Sequence, residues 1–330
     1  MALSALDLSQ DLRILALFLI VQFAGLLLAI QVYNNVPIVQ IQATQSSFSS
    51  AAGTAIYYIV AIIVGTILLL LLMKRVKTPK MLVLLEGFMI FYSSFIVFII
   101  TIGWLTGSLQ ALIEGSQITY QYYLALVPAV GLVLAKNRWP RLRNITSIII
   151  SIGAGMIVGI YLDFFTVYLF MFILAIYDYV AVFITKHMIT LAQAASEMNL
   201  AFFINTAEMG AIPTSSATRE EIKISRQQSK FLGRYTDIAN DMRKKMMTPI
   251  VGQRLLGNGD MAVPLMAAVS AYKVYGNFTL SLVVILGATA GLVAVFYILQ
   301  KYKRPLPAIP PLFIGMTAAT VIYLALTGSL

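Results

Sequence analysis

Nine stretches of this sequence are apolar for about twenty residues each. That is the length a helix rising roughly 1.5 Å per residue needs to cross a bilayer. They run approximately over Leu12–Gln31, Ala55–Met73, Leu82–Gly103, Ile118–Ala135, Ile145–Leu162, Phe164–Lys186, Gln253–Tyr272, Leu280–Leu299 and Pro307–Thr327. The fourth is interrupted by Pro128 and Gly131, and the seventh opens on polar and glycine residues. Backbone polar groups inside lipid must be satisfied within the segment, so continuous runs of this length read as helices. Only 11% of the residues are charged, against about 25% in soluble domains, too few to cover a water-facing surface. The sequence therefore predicts an all-α polytopic membrane protein with nine transmembrane helices. The first run is too long for a signal-peptide core and is followed by Asn34-Asn35-Val36-Pro37, not a small-residue cleavage site, so it counts as a span.

Basic residues fix the expected orientation. Lys74, Arg75, Lys77 and Lys80 follow span two; Lys136, Arg138, Arg141 and Arg143 follow span four; Lys301, Lys303 and Arg304 follow span eight. Lys186 at the end of span six and the long hydrophilic segment after it, through Arg254, hold ten more, and the alternate loops hold Lys273 alone. The positive-inside rule then places the N-terminus in the cytoplasm and the C-terminus outside. The formal net charge of +10 follows from this topology and is no sign of nucleic-acid binding. The organisation reads as a six-span N-terminal part over 1–187, a partly flexible cytoplasmic loop over 188–252, and a three-span part over 253–330. Within the loop, Leu200–Ile212 is apolar enough to touch the interface. There is no cysteine and one histidine, His187, which excludes disulfides, thiolate nucleophiles, cysteine-ligated metals and two-histidine metal sites. No cofactor or metal is expected.

Three carboxylates fall inside the spans: Glu86, Asp178 and Asp260. A charge at the bilayer centre costs at least ~2.5–3.5 kcal/mol, so such residues are functional candidates. Glu86 is four residues into span three, shallow enough to reach back to the headgroups. Asp178 and Asp260 lie deeper, at ~22 and ~20 Å below the outer surface when each residue rises roughly 1.5 Å. Two buried carboxylates at one level on successive spans are placed to meet. Asp260 ends the tetrapeptide Gly257-Asn258-Gly259-Asp260, whose glycines weaken the start of span seven and let another backbone approach. The stretch Pro305-Leu306-Pro307-Ala308-Ile309-Pro310-Pro311 forces extended chain at the opening of span nine. Gly155 and Gly159 form a GxxxG in span five, suited either to internal packing or to a dimer face.

Tyr177-Asp178, Gly257-Asn258-Gly259-Asp260 and Pro307-Ala308-Ile309, on the sixth, seventh and ninth spans, together resemble the presenilin and signal peptide peptidase family of GxGD-type intramembrane aspartyl proteases. The family pattern is Tyr-Asp, Gly-x-Gly-Asp and Pro-Ala-Leu; here the last reads Pro-Ala-Ile, and Asn258 fills the position where leucine is common. The resemblance implies catalytic roles for Asp178 and Asp260. It implies substrate-binding roles for Tyr177, Gly257, Asn258, Gly259, Pro307, Ala308 and Ile309. Charge-derived orientation is that of presenilins. Small size and absence of cysteine resemble a prokaryotic, archaeal-type homologue. The implied partners are transmembrane-helix substrates and membrane lipids, in the cell membrane, and the resemblance to presenilin implies that Leu200–Ile212 covers the site or is itself cut.

Two carboxylates sharing one proton suffice for peptide hydrolysis: the ionised one takes a proton from water and the protonated one polarises the carbonyl. Asp178 sits mid-helix with no N–H left over in its own segment. Asp260 follows a glycine break, where a restarting helix offers unpaired N–H groups. That contrast makes Asp178 the expected proton holder and Asp260 the base. A proton-coupled secondary transporter is the main rival reading, since intramembrane acids and broken helices also mark such proteins. A prepilin-type peptidase suits the depth of Asp178 poorly, and a non-enzymatic helix-binding chaperone would need the groove but not the acids.

Overall fold

A computed structural model describes residues 2–35, 80–107, 120–139, 142–184, 201, 203–205, 255–302 and 306–328, with scattered helical positions in 53–68. Most of the second expected span and nearly all of the 188–252 loop, including most of Leu200–Ile212, lie outside the described residues. The helices are α1 (Ala2–Asn35), α2 (Lys80–Leu105), α3 (Tyr120–Arg138), α4 (Leu142–Tyr161), α5 (Phe164–Tyr179), α6 (Asn258–Tyr275), α7 (Phe278–Tyr302) and α8 (Ile309–Thr327). A π turn, Val180–Ile184, continues α5. Among the described residues, α1, α2, α4, α5 with its π turn, α7 and α8 are long and apolar enough to cross a membrane. Their outward faces carry large exposed apolar side chains such as Leu84, Phe88, Tyr161, Leu286 and Leu326. In a lipid solvent these are the lipid-facing positions.

The least apolar of the later helices is the most enclosed. Helix α6 packs against α4, α7, α1 and α5, and Met261, Pro264, Leu265, Met266, Ala267, Ala268, Val269, Ser270, Ala271 and Lys273 along it are all buried. A helix buried on every side meets protein, not lipid, which is why α6 tolerates polar residues that an exposed span does not. Small residues make the close approaches. A Cβ on Gly155 would stand 2.6 Å from the Ala262 carbonyl oxygen, and one on Gly159 would stand 2.8 Å from that of Met266. The GxxxG of span five thus serves internal packing of α4 on α6. The α7–α8 crossing is built the same way: a Cβ on Gly291 would lie 2.5 Å from the Pro311 carbonyl oxygen.

The all-α reading holds for the membrane-crossing elements, and two local details add to it. Beside the helices, β1 (Phe203–Asn205) and β2 (Leu255–Gly257) form a short antiparallel pair with Phe203 opposite Gly257 and Asn205 opposite Leu255. Helix α6 accordingly begins at Asn258 and not near Gln253. Gly257 is its N-cap, in extended conformation at φ −67° and ψ 146°, and the three residues before α6 belong to the strand.

Candidate active site

Asp178 lies in the last regular turn of α5, two residues before the π turn begins at Val180. Its side chain is 4% exposed. The helix starts from Asp163, whose carboxylate accepts from the Thr166 N–H at 3.3 Å. It then runs without a polar side chain between Tyr168 and Tyr177, so nothing on it competes for the buried carboxylate. Asp260 is the third residue of α6. Its Oδ2 accepts the backbone N–H of Gly257 at 3.3 Å, satisfying one of the donors that every helix start leaves over. Helices α5 and α6 are in contact, and the two carboxyl groups lie within electrostatic reach of each other.

The Pro-Ala-Ile segment joins them. Pro307, Ala308 and Ile309 are buried, Ala308 is the N-cap of α8, and prolines occupy the first turn behind it, where a missing N–H costs no intrahelical bond. The Ile309 N–H donates to Asp178 Oδ2 at 3.3 Å. The expected contrast between the aspartates is therefore absent in this respect: each carboxylate accepts one backbone N–H at the same length, Asp178 from another segment and Asp260 from its own helix cap. The donor to Asp178 is 131 residues away in sequence, so no local pattern announces it.

The remaining motif residues divide. Gly259 is exposed, and a Cβ there would meet nothing within 4 Å among the described residues. Gly257 belongs to the strand–helix junction. Tyr177 is half-buried and packs on the main core. Asn258 has its side chain engaged: its Nδ2 donates to the Ala201 carbonyl at 2.7 Å, and its own carbonyl lies 3.2 Å from the Ser151 hydroxyl. Behind the site, Gln22 of α1 is fully buried and donates to the Met261 carbonyl at 2.8 Å, tying α1 to the residue next to Asp260. Glutamine in span one carried no sequence signal beyond being polar among apolar neighbours. Glu86 does not reach the headgroups. It is fully buried and ion-paired with Lys136, because helices α2 and α3 pack together and bring their nearer ends side by side.

A family model described as signal-peptide peptidase, presenilin aspartyl protease matches residues 15–328. No curated protein sequence matches the chain. Two solved structures share its fold. One, a presenilin family intramembrane aspartate protease in space group C222, is 22% identical, with a TM-score of 0.60 over 96% of this chain and 99% of that one. The other, a presenilin family intramembrane aspartate protease in space group P2, is also 22% identical, with a TM-score of 0.57 over 97% of each chain.

Proposed function

The chain belongs to the signal-peptide peptidase and presenilin aspartyl protease family, and from that premise we propose that it hydrolyses peptide bonds within transmembrane helices of other membrane proteins, with Asp178 and Asp260 as the catalytic pair. It is a multi-pass membrane protein and an aspartic-type endopeptidase. The finer reading has nine spans in the cell membrane, a cytoplasmic N-terminus, and a 188–252 loop between the parts 1–187 and 253–330.

The observation that carries the proposal is the convergence of three motifs. Asp178 accepts from Ile309 of the Pro-Ala-Ile segment, and Asp260 accepts from the first glycine of its own GxGD. Helices α5 and α6 are in contact, and two carboxylates that share one site cannot both ionise readily, so a working pair holds one proton between them. The ionised carboxylate takes a proton from water while the protonated one polarises the scissile carbonyl, and the roles reverse as the amine leaves. Helical carbonyls are already hydrogen-bonded, so the substrate must unwind locally before attack. The absence of any neighbour within 4 Å of a Cβ at Gly259, among the described residues, supports entry of that extended segment beside Asp260. Ala308 and Pro307 form the wall on the Asp178 side. Asn258, with its amide turned to Ala201, contributes backbone to the cleft and not its side chain. The family assignment leaves the transporter reading without support.

The test is cleavage of single-span peptides in liposomes, followed by mass spectrometry. Asp178→Asn and Asp260→Asn should each abolish cleavage while the protein remains folded and extractable, and a chelator should leave the parent rate unchanged. Substantial activity in either mutant would refute the assignment.

A further inference from the structure

The backbone of Ala201 is held through both its N–H and its carbonyl. Its N–H donates to Glu86 Oε1 at 2.5 Å. Its carbonyl accepts from Asn258 Nδ2 at 2.7 Å and from the Ser147 hydroxyl at 3.1 Å. Glu86 is in turn fixed by its ion pair with Lys136, the two side chains being 0% and 5% exposed, and Arg143 adds a second positive charge within electrostatic reach. Residues from α2, α4 and α6, with Lys136 of α3 behind Glu86, thus converge on one residue, two positions before β1.

Strand β1 needs such help. A ladder of three residues is marginal alone, and register is weakly specified where few pairs define it. A slip of one residue would move Phe203 off Gly257, the residue whose N–H holds Asp260. A buried ion pair is a poor way to add stability, since well-packed apolar residues do as well or better. Here both Lys136 and the Ala201 N–H meet Glu86 at the same oxygen, Oε1, while Oε2 has no hydrogen-bond partner among the described residues; that one-sided arrangement fits the fixing of a position.

Resting on the proteolytic reading above, we propose that Glu86 is a positioning residue: through the Ala201 N–H it locks β1 in register against β2, the strand that ends at the Gly257 cap of Asp260's helix, and so sets which peptide bond is presented to the pair. Lys136 holds Glu86 in place. Ser147 and Asn258 complete the lock from the carbonyl side.

Two uncharged double variants separate this role from simple stabilisation, because neither leaves Glu86 or Lys136 charged without the other; Arg143 loses the same carboxylate in both, so its effect cancels in the comparison. Glu86→Gln/Lys136→Met keeps an acceptor for the Ala201 N–H; Glu86→Met/Lys136→Met removes it. The substrates are single-span peptides in liposomes that the parent cleaves. The readouts are the positions of the cut bonds by mass spectrometry, and hydrogen–deuterium exchange of the segment 201–205. The acceptor-free variant should raise the share of products cut one or two residues from the parent site by about fivefold, the scale expected for losing one buried hydrogen bond, and exchange in 201–205 should quicken. The glutamine variant should keep the parent's cut sites and exchange. Unchanged cut sites in a folded Glu86→Met/Lys136→Met protein would overturn the proposal, as would equal shifts in both doubles. If the acceptor-free variant does not fold, Ser147→Ala decides: a smaller shift in the same direction supports the lock, and none overturns it. A parent that cuts no peptide would fail the protease reading itself, and the positioning role with it.

Discussion

The close crossing of α4 on α6 turns a single methyl group into a probe of the active site. Gly155→Ala would place a Cβ 2.6 Å from the Ala262 carbonyl oxygen, where ordinary contact begins at 3.4 Å. The shortfall is about 0.8 Å, and the obstacle is backbone, which cannot rotate aside. Alanine favours the helix over glycine by about 1 kcal/mol, while overpacking costs about 1–3 kcal/mol, so net stability falls modestly. Activity should fall much further. Ala262 is two residues from Asp260, and a misplacement near 1 Å costs on the order of 10²-fold in rate. We expect kcat to drop about 10- to 100-fold. Gly159→Ala meets the Met266 carbonyl oxygen at 2.8 Å, a smaller shortfall farther from Asp260, and should cost less. Gly131→Ala on α3 has nothing within 4 Å and should leave the rate unchanged. The assay is initial-rate cleavage in liposomes, with thermal unfolding in detergent measured in parallel. A Gly155→Ala enzyme as fast as the parent, or a loss ordered by thermal stability and not by distance from Asp260, would refute the reasoning.

The α7–α8 crossing should transmit in the same way: Gly291→Ala presses on the Pro311 carbonyl oxygen at 2.5 Å, displaces the start of α8 that carries the Ile309 donor, and should lower kcat about tenfold, read by the same cleavage assay. Lys136→Met alone leaves Glu86 buried without its nearest counter-charge and should destabilise by about 3–5 kcal/mol, seen as a lower unfolding midpoint that Glu86→Gln added in the same chain largely restores.

Local patterns exposed the spans and the acids; distant pairings stayed hidden. Asp178 and Asp260 stand out because a carboxylate in a run of apolar residues is anomalous on its own segment. The start of α6 was legible in part, since Gly257 and Gly259 announce a break, but the strand before it was not: β2 exists through pairing with Phe203–Asn205, fifty residues earlier. Glu86 was misplaced for the same reason. Read along its own helix it is a shallow acid; its partner Lys136 comes from the following helix, where a basic residue at a span end reads as topology. The GxxxG at Gly155 and Gly159 names a close contact without naming the other helix. The donor to Asp178 was likewise invisible, because an unpaired N–H at Ile309 becomes relevant only when α8 is laid beside α5.

The π turn after Asp178 has a consequence for how the chain can diverge. At Val180 the N–H reaches both the Ile176 and Tyr177 carbonyls, and the helix then widens to hydrogen bonds spanning five residues. A regular helix advances about 100° per residue, so an added or lost residue in an α-helix swings everything beyond it to another face. A π turn absorbs one extra residue, acting as a phase shifter between two helical registers. Aspartate 178 is on the near side of the shifter, held with the residues that precede it. Removing one residue from Val180–Ile184 would return that stretch to α-helical phase, with Asp178 still facing Ile309. The aim of the carboxylate is thus insulated from the length of the chain that follows it, and a single-residue insertion or deletion can be taken up in the turn without turning Asp178 to another face.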